Sequence, residues 1–199
     1  MQEVSTVTSQ RMEGIAPAVS LSGQAAGNPV RRILLSRGRF TLVDEADFEK
    51  LSKYRWHCMR AGNNLYACRC EGRRVIMMHR EILEVPAELY VDHINHDGLD
   101  NRRCNLRSCT PAQNSYNRRP TGRGTSRCKG VSWKSELRRW CAAIGFAGRM
   151  IHIGYFDYEM DAAIAYDDKA IELFGEFAAL NCQYRPEVAR WLQETRLFV

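Results

Sequence analysis

In the first half of the chain, apolar positions fall in short runs parted by turn residues, the pattern of strands and short helices. Residues 30–35 and 39–43 read as two strands around the Ser36-Arg37-Gly38 turn. Asp44 is placed to cap a short helix from Glu45 to about Ser52, with Phe48 and Leu51 on its apolar side. Strand-like runs follow at 54–58, 65–70 and 75–78, separated by Gly62-Asn63-Asn64 and Glu71-Gly72. A short helix over 79–85 is stopped by Pro86, and residues 89–91 read as one more strand. A long polar loop then runs into a clear helix start. Thr110 is the N-cap, Pro111 suits the first helical position, and Gln113 completes a Thr-x-x-Gln capping box.

The second half predicts three strands, 130–134, 140–146 and 150–155, joined by turns at 135–139 and 147–149. A helix over 158–174 follows, with Asp157 as its cap and Gly175 as its stop. Met160, Ile164, Ile171 and Phe174 share one face of it, and Ala163 and Ala170 lie alongside to allow close packing. Three antiparallel strands covered by one helix make a stable two-layer unit, leaving the other sheet face free. A last short helix is expected over 186–197. The fold class is α+β.

Composition adds bounds. The 199 residues suffice for one large domain or two small ones, and 45% apolar with 26% charged residues is ordinary globular usage. No apolar run approaches the roughly 18 residues of a membrane span. Residues 1–29 are rich in Ser, Gln, Ala and Gly, lack the basic start and apolar block of a secretory signal, and read as a disordered leader. With no secretion signal, the expected location is the cytoplasm, and the eight cysteines read as buried reduced thiols. No Cys-x-x-Cys pair supplies the closely spaced ligands of a structural zinc site. Charge is uneven. Residues 101–150 hold twelve Lys and Arg against Glu136 alone, so this stretch carries +11 and the remainder −5. Such a block is the footprint of a polyanion partner. Residues 118–127, with Pro120, Gly122 and Gly124, read as a basic linker.

The candidate chemistry lies between the 89–91 strand and the capped helix. Hydrolysis of a phosphodiester needs an activated water, neutralised phosphate charge and a stabilised leaving oxygen. An imidazole near neutrality can take a proton from water, and a carboxylate with an amide oxygen can hold a hard divalent cation. Strand, loop and helix bring Asp92, His93 and Asn114 within reach of one another, with Asn117 three residues on and on the same helical face as Asn114. His79 and His96 are rival bases, and His96 reads as exposed and inert. Asn95 and Asn101 read as organisers of the loop. Arg102 and Arg107 are candidate phosphate clamps, although Arg102 has a second option in pairing with Asp97 or Asp100.

The full run, Asp92-His93-x-Asn95-x-Asp97-Gly98-x-Asp100-Asn101-Arg102-x-x-Asn105-Leu106-Arg107 followed by Thr110-x-x-Gln113-Asn114, resembles the HNH, or ββα-metal, motif of phage-type homing endonucleases. The likeness extends over residues 30–117. It implies His93 as general base, Asp92 and Asn114 as ligands of Mg²⁺ or Mn²⁺, and Asn105 as the central residue of the catalytic motif, tying down the loop. Asn114 stands where many members carry His, which keeps an oxygen donor and disfavours zinc there. His79, in a His-Arg pair that the family also shows, is expected to support the fold or touch phosphate.

Further on, Lys129-Gly130-Val131-Ser132-Trp133-Lys134, Trp140-Cys141-Ala142-Ala143-Ile144, Ile153-Gly154-Tyr155-Phe156, Asp161-Ala162-Ala163-Ile164-Ala165-Tyr166-Asp167 and Leu180-Asn181 resemble an AP2 DNA-binding domain. That resemblance, over 128–182, implies a sheet lying in the major groove. Ser132, Lys134, Arg139, Trp140 and His152 occupy its contact positions, so several usual Arg and Trp contacts are replaced and base specificity does not carry over. Trp133, Lys134, Arg138, Arg139 and Arg149, with Arg118 and Arg119 from the linker, are the candidate DNA contacts; Trp140 fits either a DNA contact or a core aromatic. The resulting expectation is a metal-dependent endonuclease of homing or mobile-element type, in a bacterial or phage-infected cell. Its partner is double-stranded DNA rather than a membrane or a small molecule, and residues 183–199 form a C-terminal helix. The alternative is a DNA-binding regulator whose HNH portion no longer cuts.

Overall fold

The structure, a computed structural model, describes residues 29–119 and 124–196. The leader expected over 1–29 therefore lies outside the described residues except for Pro29, as does the middle of the basic linker. Strand β1 (Val30–Leu34) pairs antiparallel with β2 (Phe40–Asp44), and helix α1 (Glu45–Ser52) follows directly. A three-stranded antiparallel sheet comes next, built from β3 (His57–Ala61), β4 (Asn64–Glu71) and β5 (Arg74–Met77) in that order. After α2 (Met78–Leu83), strand β6 (Tyr90–His93) pairs antiparallel with β7 (Leu106–Cys109), and α3 (Pro111–Tyr116) completes a ββα unit.

One core holds these pieces together. Ile33, Leu35, Val43, Leu51, Trp56, Ala67, Met78, Ile82 and Leu106 are buried against one another, so every element from β1 to β7 contributes or packs beside a contributor. Each large side chain buried in this way stabilises the fold by about 1.5–3 kcal/mol. Trp56 is the largest, and its indole N–H donates to the Leu51 carbonyl at the end of α1.

The C-terminal part is a second antiparallel sheet, β8 (Val131–Lys134), β9 (Arg139–Phe146) and β10 (Arg149–Phe156), with β9 central. Helix α4 (Glu159–Phe174) covers one face. Gly175, with φ +54°, ends it as expected, because the left-handed region costs glycine least. The short α5 (Asn181–Tyr184) and α6 (Pro186–Arg196) close the chain, and Val188 of α6 is buried beside Ala162, Ala163 and Cys128. Among the described residues no helix is long and apolar enough to cross a membrane.

Several local expectations need correction. Asp44 does not cap α1; its carboxylate instead accepts the backbone N–H of Arg103, tying β2 to the polar loop. Asp157 does not cap α4, and it receives Arg139 Nε at 2.9 Å. Ile171 is 51% exposed, because α4 turns Ala162, Ala163, Tyr166, Ala170 and Phe174 inward. The alanines let the helix sit close to the sheet, and the buried stripe rotates to follow them. Strand β3 starts at His57 rather than 54, since Trp56 is drawn into a parallel bridge with Leu35.

The two parts touch beside the polar loop. Tyr116, the last residue of α3, stacks on Phe174 with ring centroids 3.9 Å apart and planes within 8°. Lys129 Nζ donates to the Tyr116 carbonyl at 2.6 Å.

Candidate active site

The β6–β7 pairing sets Asp92 opposite Arg107 and His93 opposite Leu106. Both members of the Asp-His pair are buried, with 6% and 4% exposure, so their orientations are fixed by protein contacts rather than by solvent. Asp92 Oδ2 accepts Arg107 Nε at 3.0 Å and Nη2 at 2.8 Å. Asn117 Nδ2 donates to both oxygens, at 3.0 and 2.9 Å. A carboxylate with a guanidinium and an amide on it is fixed in orientation.

His93 Nε2 lies 3.3 Å from Asn101 Oδ1. His79 stands edge-on to the His93 ring at 5.1 Å, and Tyr66 tilts against it at 5.7 Å. Burial holds the His93 pKa below the ordinary imidazole value, opposed by the Asn101 hydrogen bond and the carboxylates of Asp92, Asp97 and Asp100. The ring is therefore neutral near pH 7, the form a proton acceptor requires. His79 is buried too, and desolvation with His93 beside it brings its pKa down to about 3. Among the described residues its Nδ1 has no hydrogen-bond partner. His79 thus serves as an uncharged wall behind His93.

The intervening loop is held by its own side chains and by β2 and β4. Asn105 Oδ1 accepts the Asn95 N–H at 2.9 Å, its Nδ2 donates to the Asp100 carbonyl at 2.8 Å, and its carbonyl accepts the Ile94 N–H. Asn105 thus ties the loop to the end of the His-bearing strand, as expected of the central residue of the motif. Gly98 presses on β4, where a Cβ would come 2.3 Å from the Leu65 carbonyl oxygen and 2.7 Å from the Tyr66 ring. Asn64 of β4 clasps the loop from that side, donating to the His96 carbonyl at 2.9 Å.

Helix α3 begins with the expected capping box, Thr110 Oγ1 accepting the Gln113 N–H and Gln113 Oε1 accepting the Thr110 N–H. Asn114 in its first turn lines a cavity of about 440 Å³ together with Asp92, His93, His96, Asn117 and Arg118. An imidazole, a carboxylate and an amide face one space large enough for a phosphate group. Residues 84–116 match the HNH endonuclease family. Over 156 residues the chain is 36% identical to the uncharacterised HNH endonuclease L560 of Acanthamoeba polyphaga mimivirus, an alignment covering 74% of this chain and 79% of that protein. The chain belongs to the HNH endonuclease family. Protein 3.8 of Escherichia phage T7 is 32% identical over 94 residues, covering 47% of this chain and 77% of that protein. No solved structure matches. As an HNH endonuclease the protein is a nuclease, and DNA is its substrate.

Nucleases of this family generally depend on a divalent metal, and the endonuclease's donor set can be tested against one. Among the described residues no three His, Cys, Asp or Glu side chains gather as a metal cluster. What the cavity offers is a carboxylate oxygen from Asp92 and an amide oxygen from Asn114. Hard oxygen donors of this kind fit a hard divalent cation.

Burial redistributes the expected DNA contacts. Arg102 chooses Asp100, with Nε and Nη2 at 2.7 and 2.6 Å from its two oxygens. Arg107, expected as a phosphate clamp, is 11% exposed, paired with Asp92, and lies over the Phe177 ring at 4.1 Å. Arg119 donates to the Asn95 carbonyl at 3.0 Å. Arg118 alone of this group is both exposed and on the cavity wall. On the C-terminal sheet Trp133, Lys134, Arg138 and Arg149 are exposed, while half-buried Trp140 meets Trp133 edge-on and packs into the core.

His96 departs from expectation. It is half-buried, has φ +62°, and its Nε2 lies 2.5 Å from the Tyr184 hydroxyl. Burial, with Arg119 nearby, lowers its pKa to about 4. Tyr184 comes from the far end of the chain, so no local pattern could have flagged the contact. Asn117, the second oriented partner of Asp92, had a visible signal in its three-residue spacing from Asn114.

Proposed function

We propose that the endonuclease cleaves double-stranded DNA with His93 as general base and one divalent cation, Mg²⁺ or Mn²⁺, held by Asp92 and Asn114. The observation carrying this reading is that Asp92, His93 and Asn114 line one cavity, although strand, loop and helix separate them in the chain. His93 removes a proton from a water as its oxygen attacks phosphorus; the bond to the 3′ oxygen breaks, leaving a 5′ phosphate and a 3′ hydroxyl. The ion would supply neutralisation of the phosphate charge and of the departing oxygen. Asn117 and Arg107 keep Asp92 aimed, Asn105 holds the loop, and Arg118 stands on the cavity wall to meet a phosphate oxygen.

Residues 30–117 act as the nuclease domain, joined by the basic stretch 118–127 to an AP2-like targeting domain over 128–182. Support for the second assignment comes from the motif resemblance and from the solvent-facing Trp133, Lys134, Arg138 and Arg149 on β8–β10 and their turns. The same reading gives it a homing or mobile-element role in the cytoplasm of a bacterial or phage-infected cell; the phage setting has support in the T7 relative.

Plasmid incubated with the full chain and Mg²⁺ should be nicked or linearised, and chelation should stop the reaction until metal is restored. Cutting that survives complete chelation rejects the metal assignment. His93→Ala should lower cleavage about 10²- to 10⁴-fold with DNA affinity retained, and a variant that cuts normally rejects the base.

A further inference from the structure

Asn101 and Thr41 are both wholly buried, and Asn101 links Thr41 to the one ring on which cleavage is proposed to depend. Thr41 lies on β2; Asn101 lies at the far side of the loop. Thr41 Oγ1 is 2.7 Å from the Leu99 carbonyl oxygen. A carbonyl only accepts, so the hydroxyl proton points there and Oγ1 turns lone pairs toward Asn101. The Asn101 atom 2.8 Å from Oγ1 is therefore the amide nitrogen, which also reaches the Gly98 carbonyl at 3.5 Å. The other end of the amide, Oδ1, faces His93 Nε2 at 3.3 Å. An amide oxygen has no proton to give, so Nε2 carries the hydrogen of the neutral ring and its lone pair sits on Nδ1.

We propose that Asn101, oriented by Thr41, is a positioning residue that fixes His93 as the Nε2–H tautomer and so assigns Nδ1 as the atom that accepts the proton from water. The proposal rests on the reading of His93 as general base. Its physical content is directional. A hydroxyl with a committed proton orients an amide, the amide orients an imidazole, and each step has only one arrangement with every donor matched to an acceptor. Rotating the His93 ring by half a turn would put a ring carbon, Cε1, where Nε2 now meets Asn101, and the rings of His79 and Tyr66 flank it against that motion. A neutral amide also fixes the tautomer without placing a full negative charge beside the proton, which suits a ring that must begin the reaction unprotonated.

The test is a ¹H–¹⁵N correlation spectrum of ring nitrogens on the full-length, metal-free wild-type protein near neutral pH, with His93 signals assigned by their loss in His93→Gln. Expected is a single neutral tautomer, Nε2 protonated and Nδ1 bare. A ring protonated on Nδ1 overturns the proposal by itself, whatever the cleavage assays give. A His93→Ala protein that still cuts overturns the general-base reading, and with it the part given to Nδ1. Thr41→Val removes the lone pairs that orient the amide while keeping the side chain's shape. It should produce mixed tautomers and a kcat about 10- to 100-fold lower, with KM little changed. Thr41→Ser should restore both readouts. A Thr41→Val protein with the wild-type ring spectrum and rate removes Thr41 from the device.

Discussion

The arginines beside the nuclease cavity and those on the C-terminal sheet differ in what holds them. Arg102 grips Asp100, Arg103 grips Asp47, Arg107 grips Asp92, and Arg119 reaches the loop backbone. On the sheet, Arg139 pairs with Asp157, whereas Lys134, Arg138 and Arg149 are exposed and, among the described residues, form no ion pair. A basic run in sequence therefore counts charge without saying where it acts. The first group holds other parts of the fold in place, Asp47 of α1, Asp92 of β6, and Asp100 and the Asn95 carbonyl of the loop; the second leaves its charges facing solvent. Arg118 belongs with the free group although it sits at the cavity.

The sharpest way to break this division is Arg107→Ala. It strips Asp92 of its partner inside the fold, and losing one member of a buried pair costs about 3–5 kcal/mol. The denaturant midpoint should fall accordingly; an unchanged midpoint would move Arg107 to the free group. Next is the triple change Lys134→Ala, Arg138→Ala, Arg149→Ala. Stability should stay within about 0.5 kcal/mol per site, while the slope of log affinity against log salt should flatten by about 0.9 for each phosphate no longer neutralised. An unaltered slope would remove the sheet from DNA binding.

Acid should act on the cavity side. The pKa values of His79 and His96 are lowered to about 3 and about 4, so the unfolded chain binds protons more readily than the native one below pH 6.5. Stability should be full above about pH 6.5, and should decline as pH falls through the range toward 4 and then 3. Melts taken from pH 7 to 4 that show no decline would mean that these imidazoles open to solvent. The smallest expected effect is that of Phe177→Leu, which removes the ring under Arg107 and should lower stability by about 0.5–2 kcal/mol, read from thermal midpoints with the salt slope unchanged.

Much of this architecture was legible in the residue pattern, because capping, turns and alternation are local. The Thr110–Gln113 box, the hairpins of the first half, the three-strand-and-helix unit and the Gly175 stop all appear where the sequence puts them. Strand β7 escaped notice: only four residues long, it carries Arg107 and Ser108 at its centre and exists because β6 offers it a partner. Helix α5 is likewise made by distant groups, with Asp167 accepting the backbone N–H groups of Asn181 and Cys182 at its start. That Asp92, His93 and Asn114 would come to one place was legible, since they line one cavity, but several of the contacts around them were not. Thr41 under Asn101, Phe177 under Arg107 and Tyr184 against His96 are all brought in from sixty or more residues away.

Tyr116 has a bearing on how such enzymes can be recombined. It closes the helix that carries Asn114, yet its ring is stacked on Phe174 and its carbonyl is held by Lys129, both from the far side of the 120–123 stretch. A cut made there would look clean on paper, but it would strip an aromatic stack from the end of the nuclease helix. Exchanging the C-terminal sheet-and-helix unit for another would thus require the incoming piece to supply a flat aromatic surface and a cation at the same seam, or the graft would loosen the half that carries Asn114.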